Sequence, residues 1–193
     1  MIEKEIKIGK INILGQKCDD SDNADLKSLY ETWITFRSIS KKFYQRANLP
    51  ESLTELMITK HVIGAYRKIK ILKSYRGAKT KFDCYDEIEK KYIEVKGCSI
   101  PNDLTSFSPK PFFDLLYFVD FSSLDGKYKI FKININSNEI MDIKVNSTET
   151  FRDQAKKSST GGKRRPHFSL YETFINKQNY CRGYPEFEGD LNN

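Results

Sequence analysis

The apolar residues of this 193-residue chain change their spacing part-way along, and that change constrains the fold more than any other feature. From Asp25 to about Gln45, Leu26, Leu29, Tyr30, Trp33, Phe36, Ile39 and Phe43 recur every three or four positions, which puts them on one helical face. Asn48-Leu49-Pro50 stops that helix, because the residue before a proline avoids helical angles. Pro50 with the capping box Ser52-x-x-Glu55 opens a second helix, expected to run to about Lys68. After the basic link KSYRGAKTK the period falls to two. FDCYD (82–86), YIEVKG (92–97), LLYFVDF (115–121), KYKIFKI (127–133) and IMDIKV (140–145) read as five strands. A short helix from Thr148 to about Lys157 and another after Ser169, with the capping box Ser169-x-x-Glu172, follow them. Helices before and after one sheet predict an α/β (α+β) fold, a central five-stranded mixed sheet flanked by helices. Ile6, Ile8, Ile11 and Ile13 alternate around Gly9-Lys10, so residues 1–22 read as an N-terminal hairpin or edge ribbon. The acidic residues 183–193 read as a frayed tail.

A chain of this length with 38% hydrophobic residues can bury one core, so residues 1–193 are expected to form one domain. Its 33 Lys and Arg outnumber 26 Asp and Glu, a balance of +7 that attracts polyanions, nucleic acid first among them. At 13% aromatic, it is not composed like a disordered basic tail. Cys18, Cys84, Cys98 and Cys181 form no C-x-x-C pair and read as reduced thiols of a cytoplasmic protein. The N-terminus lacks an apolar signal core, and Asp114 and Asp120 interrupt the most apolar run, so no membrane segment is expected.

The hairpin at 81–100, KFDCYDEIEKKYIEVKGCSI, carries charges where a strand would pack aliphatics. Side chains two apart on a strand share a face, so Glu94 and Lys96 point one way while Ile93 and Val95 point into the core. Asp83, on the facing strand, joins them. Two carboxylates against an apolar floor repel unless a cation stands between them, and Mg²⁺ binds through one or two carboxylates while keeping most of its water. Such a site suits phosphodiester hydrolysis, with Lys96 holding the attacking water and offsetting charge at phosphorus. The spacing D-x(10)-E-x-K alone is equally met by a solvated hairpin whose outer face carries these charges, as in a binding module without catalysis.

The same stretch resembles the PD-(D/E)xK nucleases, specifically the small type II restriction endonucleases, in which sequence like FDCY precedes sequence like IEVKG. Asp83, Glu94 and Lys96 stand at the motif positions, with Phe82 where the family name has proline. NLPESLTE (48–55) is similar to a helix start carried ahead of the catalytic strands, and implies that Glu55 or Glu51 approaches the metal. PNDLTSFSPKPFFDLLYFVDF (101–121) resembles the family's D-L-T-S-F-G-P segment and core strand, with Ser108 where glycine is usual. TFRDQAKKSSTGGKRRPHFSLYETFI (150–175) resembles its C-terminal R-R-P-(R/H)-F-S block, with a longer linker. The resemblance covers residues 48–176 and implies a restriction-endonuclease-like core. It also implies Mg²⁺-dependent cleavage of both strands of double-stranded DNA to 5′-phosphate ends. Among these enzymes the chain is most similar to the small ones that read GCNGC. A structure-specific repair nuclease or junction resolvase would share the chemistry.

Nine Lys and Arg lie between 144 and 182 against three acids, and Lys156, Lys157, Lys163, Arg164 and Arg165 have no acid among them. With Gly161-Gly162 they are expected to track phosphate. Arginine paired to guanine is the commonest base contact, which singles out Arg164 and Arg165, followed by Asn102, Asp103 and Lys110 in the loop after the catalytic strand. His167 is either a further donor or a ring packed between Pro166 and Phe168, and His61 is expected to be structural. Tyr75, Arg76, Lys79 and Lys81 lead into the catalytic strand and are placed to grip the backbone. A palindrome calls for a two-fold homodimer, and such an enzyme works beside a cognate DNA methyltransferase.

Overall fold

The computed structural model describes residues 1–156, 165–177, 180–181 and 183–192. In chain order these form β1 (Ile2–Ile8), β2 (Ile11–Lys17), α1 (Asn23–Lys42), α2 (Glu51–His61), β3 (Ala65–Ser74), β4 (Cys84–Asp86) and β5 (Lys91–Cys98). After them come β6 (Leu104–Ser106), β7 (Leu115–Asp120), β8 (Lys127–Ile133), α3 (Phe151–Lys156), β9 (His167–Ser169) and β10 (Phe187–Asp190). Eight strands make one mixed sheet in the order β1-β2-β3-β4-β5-β7-β8-β10, parallel only between β5 and β7, while β6 and β9 pair separately. The architecture is α+β.

The sheet is therefore larger than the five strands read from the sequence: β3, β10 and the N-terminal pair β1–β2 join it, while IMDIKV drops out. The second helix ends at His61 instead of running to Lys68: Ile63 and Gly64 follow, Gly64 packs against the Asp86 carboxylate with no room for a Cβ, and β3 begins at Ala65. Ser52 makes no capping bond there; Thr54 instead returns its hydroxyl to the Glu51 carbonyl. The run IMDIKV is not a strand: Glu139–Asp142 form a 3-10 turn and Lys144 makes only an isolated bridge to Thr150. The tail is not frayed at 187–190, where β10 pairs with β8 and sets Glu188 and Asp190 opposite Lys129 and Lys127, a favourable cross-strand arrangement. The segment after Ser169 is one π-helical turn, Tyr171–Ile175, rather than a regular helix. The N-terminal hairpin forms as read, at the edge of the main sheet.

Every residue of β7 is buried because both faces of the sheet's centre are covered. Leu115, Tyr117 and Val119 join Ile93, Val95 and the inner side of α1 and α2, while Leu116 and Phe118 join Phe107, Phe113, Phe131, Phe151, Phe168 and Phe174. A third cluster, Ile6, Ile8, Ile11 and Ile13 with Phe82 and Tyr85, fixes the N-terminal hairpin beside the segment that delivers Asp83. All four cysteines are buried free thiols, and among the described residues no helix is long and apolar enough to cross a membrane.

Candidate active site

Strand register brings the hairpin's charges together. Cys84 pairs with Ile93, so Asp83, one residue before β4, stands across from Glu94. On its other side Arg67 pairs with Cys84, and the Lys68 amide donates to the Asp83 carbonyl at 2.9 Å. Residues directly across a sheet share a face, so Lys68, Asp83 and Glu94 form one row over three strands, with Lys96 two residues further along β5. The opposite face of β5 is given to packing. Ile93 and Val95 lie in the core against Leu53, Leu56 and Met57, and a Cβ on Gly97 would sit 2.5 Å from Thr54 Cγ2. Gly97 therefore serves the approach of α2 to β5.

The row is sheltered as well as charged. Glu94 and Lys96 side chains are only 13% and 19% exposed, and Lys96 Nζ lies 2.6 Å from Glu94 Oε1 and 5.2 Å from the centre of the Phe107 ring. Asp83 Oδ2 accepts the Val95 amide at 2.8 Å, holding the carboxylate at the end of the β4 ladder. Burial, then the negative charge of Glu94, pushes the Asp83 carboxyl up to about 7, while Lys96 and the Val95 amide pull the other way. Lys68 donates to the carbonyls of Thr80, at 2.6 Å, and Phe82, and so ties down the segment that carries Asp83. Burial lowers its pKa, opposed by Asp83 and Glu55.

Glu55 and Glu51 both border this row. Glu55 Oε2 accepts from Arg67 Nε at 2.6 Å, its carboxyl is raised by burial against the pull of Arg67, and its charge reaches Asp83. Glu51 is exposed and lines a cleft of about 230 Å³ with Lys96, Arg46, Asp103 and Ser106. A larger cavity, about 870 Å³, lies away from the row and is lined by Asp120, Asp125, Glu188 and Asp190 together with Lys127 and Lys129. Among the described residues no three His, Cys, Asp or Glu side chains form a ready metal cage, so an ion here would rest on Asp83 and Glu94 and complete its sphere with water and phosphate oxygens.

The other candidates divide. Lys157, Lys163 and Arg164 lie outside the described residues. Lys156, Arg165 and His167 are exposed, and His167 pairs through β9 with Ser106 of β6, the strand after Asn102 and Asp103. Asn102 is exposed at φ +56°, Lys110 is exposed, and Asp103 is engaged by Arg46. Arg76, Lys79 and Lys81 are exposed on the loop into β4, with Lys79 4.4 Å above the Phe112 ring. His61 is packed, 2.9 Å from the Tyr128 hydroxyl and stacked on Phe187. Sequence reading missed Lys68 and Arg67, since both fell inside the extended second helix; Gly64 followed by the alternating AYRKIKI was the signal for a strand.

A family model described as the Bsp6I restriction endonuclease matches residues 18–177, a span that holds Asp83, Glu94 and Lys96. The type II restriction enzyme Bsp6I of Bacillus sp. (strain RFL6) is 30% identical over 161 residues, 82% of this chain and 84% of that enzyme. No solved structure matches the chain. The chain belongs to the Bsp6I restriction endonuclease family.

Proposed function

We propose that this member of the Bsp6I restriction endonuclease family is a type II restriction endonuclease of PD-(D/E)xK chemistry. In this reading it is Mg²⁺-dependent, hydrolyses both strands of duplex DNA at a short palindrome, with GCNGC the first site to test, and leaves 5′-phosphates. The observation that carries the proposal is the row itself: Asp83, its carboxyl pushed up to about 7, across from Glu94, with Lys96 beside them, in a span matched by the family. Two facing carboxylates, one of them raised by burial and then by the other's charge, fit a divalent cation, because a cation beside them offsets both effects. Bound by Asp83 and Glu94, Mg²⁺ would polarise the scissile phosphate and acidify a water.

The chain's own groups have separable parts. The Lys96 ammonium has three donors; Glu94 takes one, which leaves two for the attacking water and a non-bridging phosphate oxygen. Glu55, raised by burial, or Glu51, on the cleft wall, is placed to assist. Arg165, Lys156, Lys110, Asn102 and His167 present exposed donors to the duplex. A two-fold site calls for a homodimer with one active site per strand. A methyltransferase of the same specificity would protect the host's DNA in the same cytoplasm.

Digesting plasmid DNA with Mg²⁺ and sequencing the ends tests this. Discrete fragments sharing one terminal sequence and 5′-phosphates are expected. A smear, or cutting confined to branched DNA, would indicate a structure-specific nuclease, and binding with every phosphodiester intact would indicate a non-catalytic module.

A further inference from the structure

β3 outruns its neighbour. β4 pairs with it only at Ala65, Tyr66 and Arg67, so beyond the Lys68 amide the β4-side edge of residues 69–74 meets no strand among the described residues. Along that stretch both faces are open: Ile69, Ile71 and Leu72 are 39%, 40% and 44% exposed, beside exposed Lys70 and Lys73. An open edge with apolar side chains is normally a place for another strand to pair.

The charge pattern decides what can cover it. From Arg67 to Lys81 there are seven Lys and Arg and no acid. Arg67 and Lys68 turn inward, to Glu55 and to the Thr80 and Phe82 carbonyls. The remaining five, Lys70, Lys73, Arg76, Lys79 and Lys81, are exposed and make no ion pair among the described residues. Pairing this edge with the same edge of a second copy would juxtapose these cations unscreened. A polyanion meets no such cost, and the chain runs from the edge through one loop, with Gly77 at φ +80° turning it, directly into Asp83.

We infer that the free edge of β3, with Lys70 and Lys73, is a DNA-binding ridge that tracks the phosphate backbone leading to the scissile bond. The inference rests on the nuclease reading and adds the surface by which the duplex is held. Its lysines neutralise phosphates, Ile71 and Leu72 lie against sugar, and free amide groups of the edge can donate to phosphate oxygens.

The test is a Lys70→Ala/Lys73→Ala double variant, bound to a duplex carrying the cleaved site in Ca²⁺, across 50 to 200 mM salt. Each phosphate contact contributes about 0.9 to the slope of log affinity against log salt, so the slope should become shallower by about 1.8, with affinity down roughly tenfold or more at the low-salt end. A Lys7→Ala/Lys27→Ala control should keep the parent slope. A double variant with the parent slope overturns the ridge, as does one whose change appears as altered self-association by sedimentation. If the unmodified protein cuts DNA while the variant keeps its slope, the ridge fails and the nuclease reading stands; if the unmodified protein cuts nothing, the nuclease reading fails first.

Discussion

Two neighbouring parts of one sheet break the ordinary rule of burial in opposite senses. At the β4–β5 hairpin, Asp83, Glu94 and Lys96 are sheltered; along the outer half of β3, Ile69, Ile71 and Leu72 are open. Scattered exposed aliphatics or a charged turn would mean little, but half-buried charges gathered on one face and exposed aliphatics gathered along one open edge each need a reason. The two parts are linked by Lys68, the last inward residue of β3, which is bonded to the segment holding Asp83. On the proposed reading the two parts serve one ligand that is both anionic and large: the charges would meet its reacting atom, the edge its flank.

The contrast is broken most severely at the hairpin. Asp83→Asn, Glu94→Gln and Lys96→Ala should each lower the single-turnover cleavage rate by about 10²-fold or more, while affinity for DNA in Ca²⁺ changes little. Equal cleavage by any of them would reduce that residue to a solvated charge.

A pH series measures what burying Asp83 costs. Its carboxyl is raised from 3.8 to about 7 on folding, so well below pH 4 both states hold the proton and nothing is lost. As pH rises from 4 through 7 the unfolded chain releases the proton first and the metal-free fold loses stability, at most about 4 kcal/mol. Asp83→Asn should therefore match the parent protein in denaturant melts near pH 4 and be the more stable at pH 8, with the gap narrowed by Mg²⁺. A pH-independent gap would contradict the shelter described for the row.

Lys68→Met keeps the aliphatic stem but not the ammonium that donates to the Thr80 and Phe82 carbonyls. We expect about tenfold slower cleavage, near 1.4 kcal/mol of barrier, with DNA affinity unchanged. Cleavage at the parent rate would end the row at Asp83. The smallest effect belongs to the open edge: Ile71→Ser should change unfolding free energy by less than about 0.5 kcal/mol, because the side chain is already wet. A larger loss would mean that the edge is packed in solution.

The meeting of Asp83, Glu94 and Lys96 was legible in the sequence because it follows from period two and a short hairpin: with Cys84 paired to Ile93, Asp83 stands across from Glu94. The first helix was legible for the same kind of reason, yet its face was read too wide. Leu26, Tyr30 and Trp33 are buried while Phe36, Ile39 and Phe43 are exposed, since spacing shows which residues share a face but not how far a partner covers it. β3 was missed although Gly64 and the alternating AYRKIKI marked it, because the second helix was read through its first residues to Lys68 and its outer apolar residues, Ile69, Ile71 and Leu72, are exposed beside lysines. β10 was illegible because four residues of FEGD gain a strand only from β8, a tertiary pairing that local pattern does not encode.

The account stands on Asp83 and Glu94 sharing one divalent ion. Electron paramagnetic resonance of the DNA-free protein titrated with Mn²⁺ tests this without reference to activity. Bound Mn²⁺ that Mg²⁺ displaces, and that both Asp83→Asn and Glu94→Gln abolish or weaken by at least about tenfold, is the expected result. Mn²⁺ held equally well by the parent protein and both variants would contradict it.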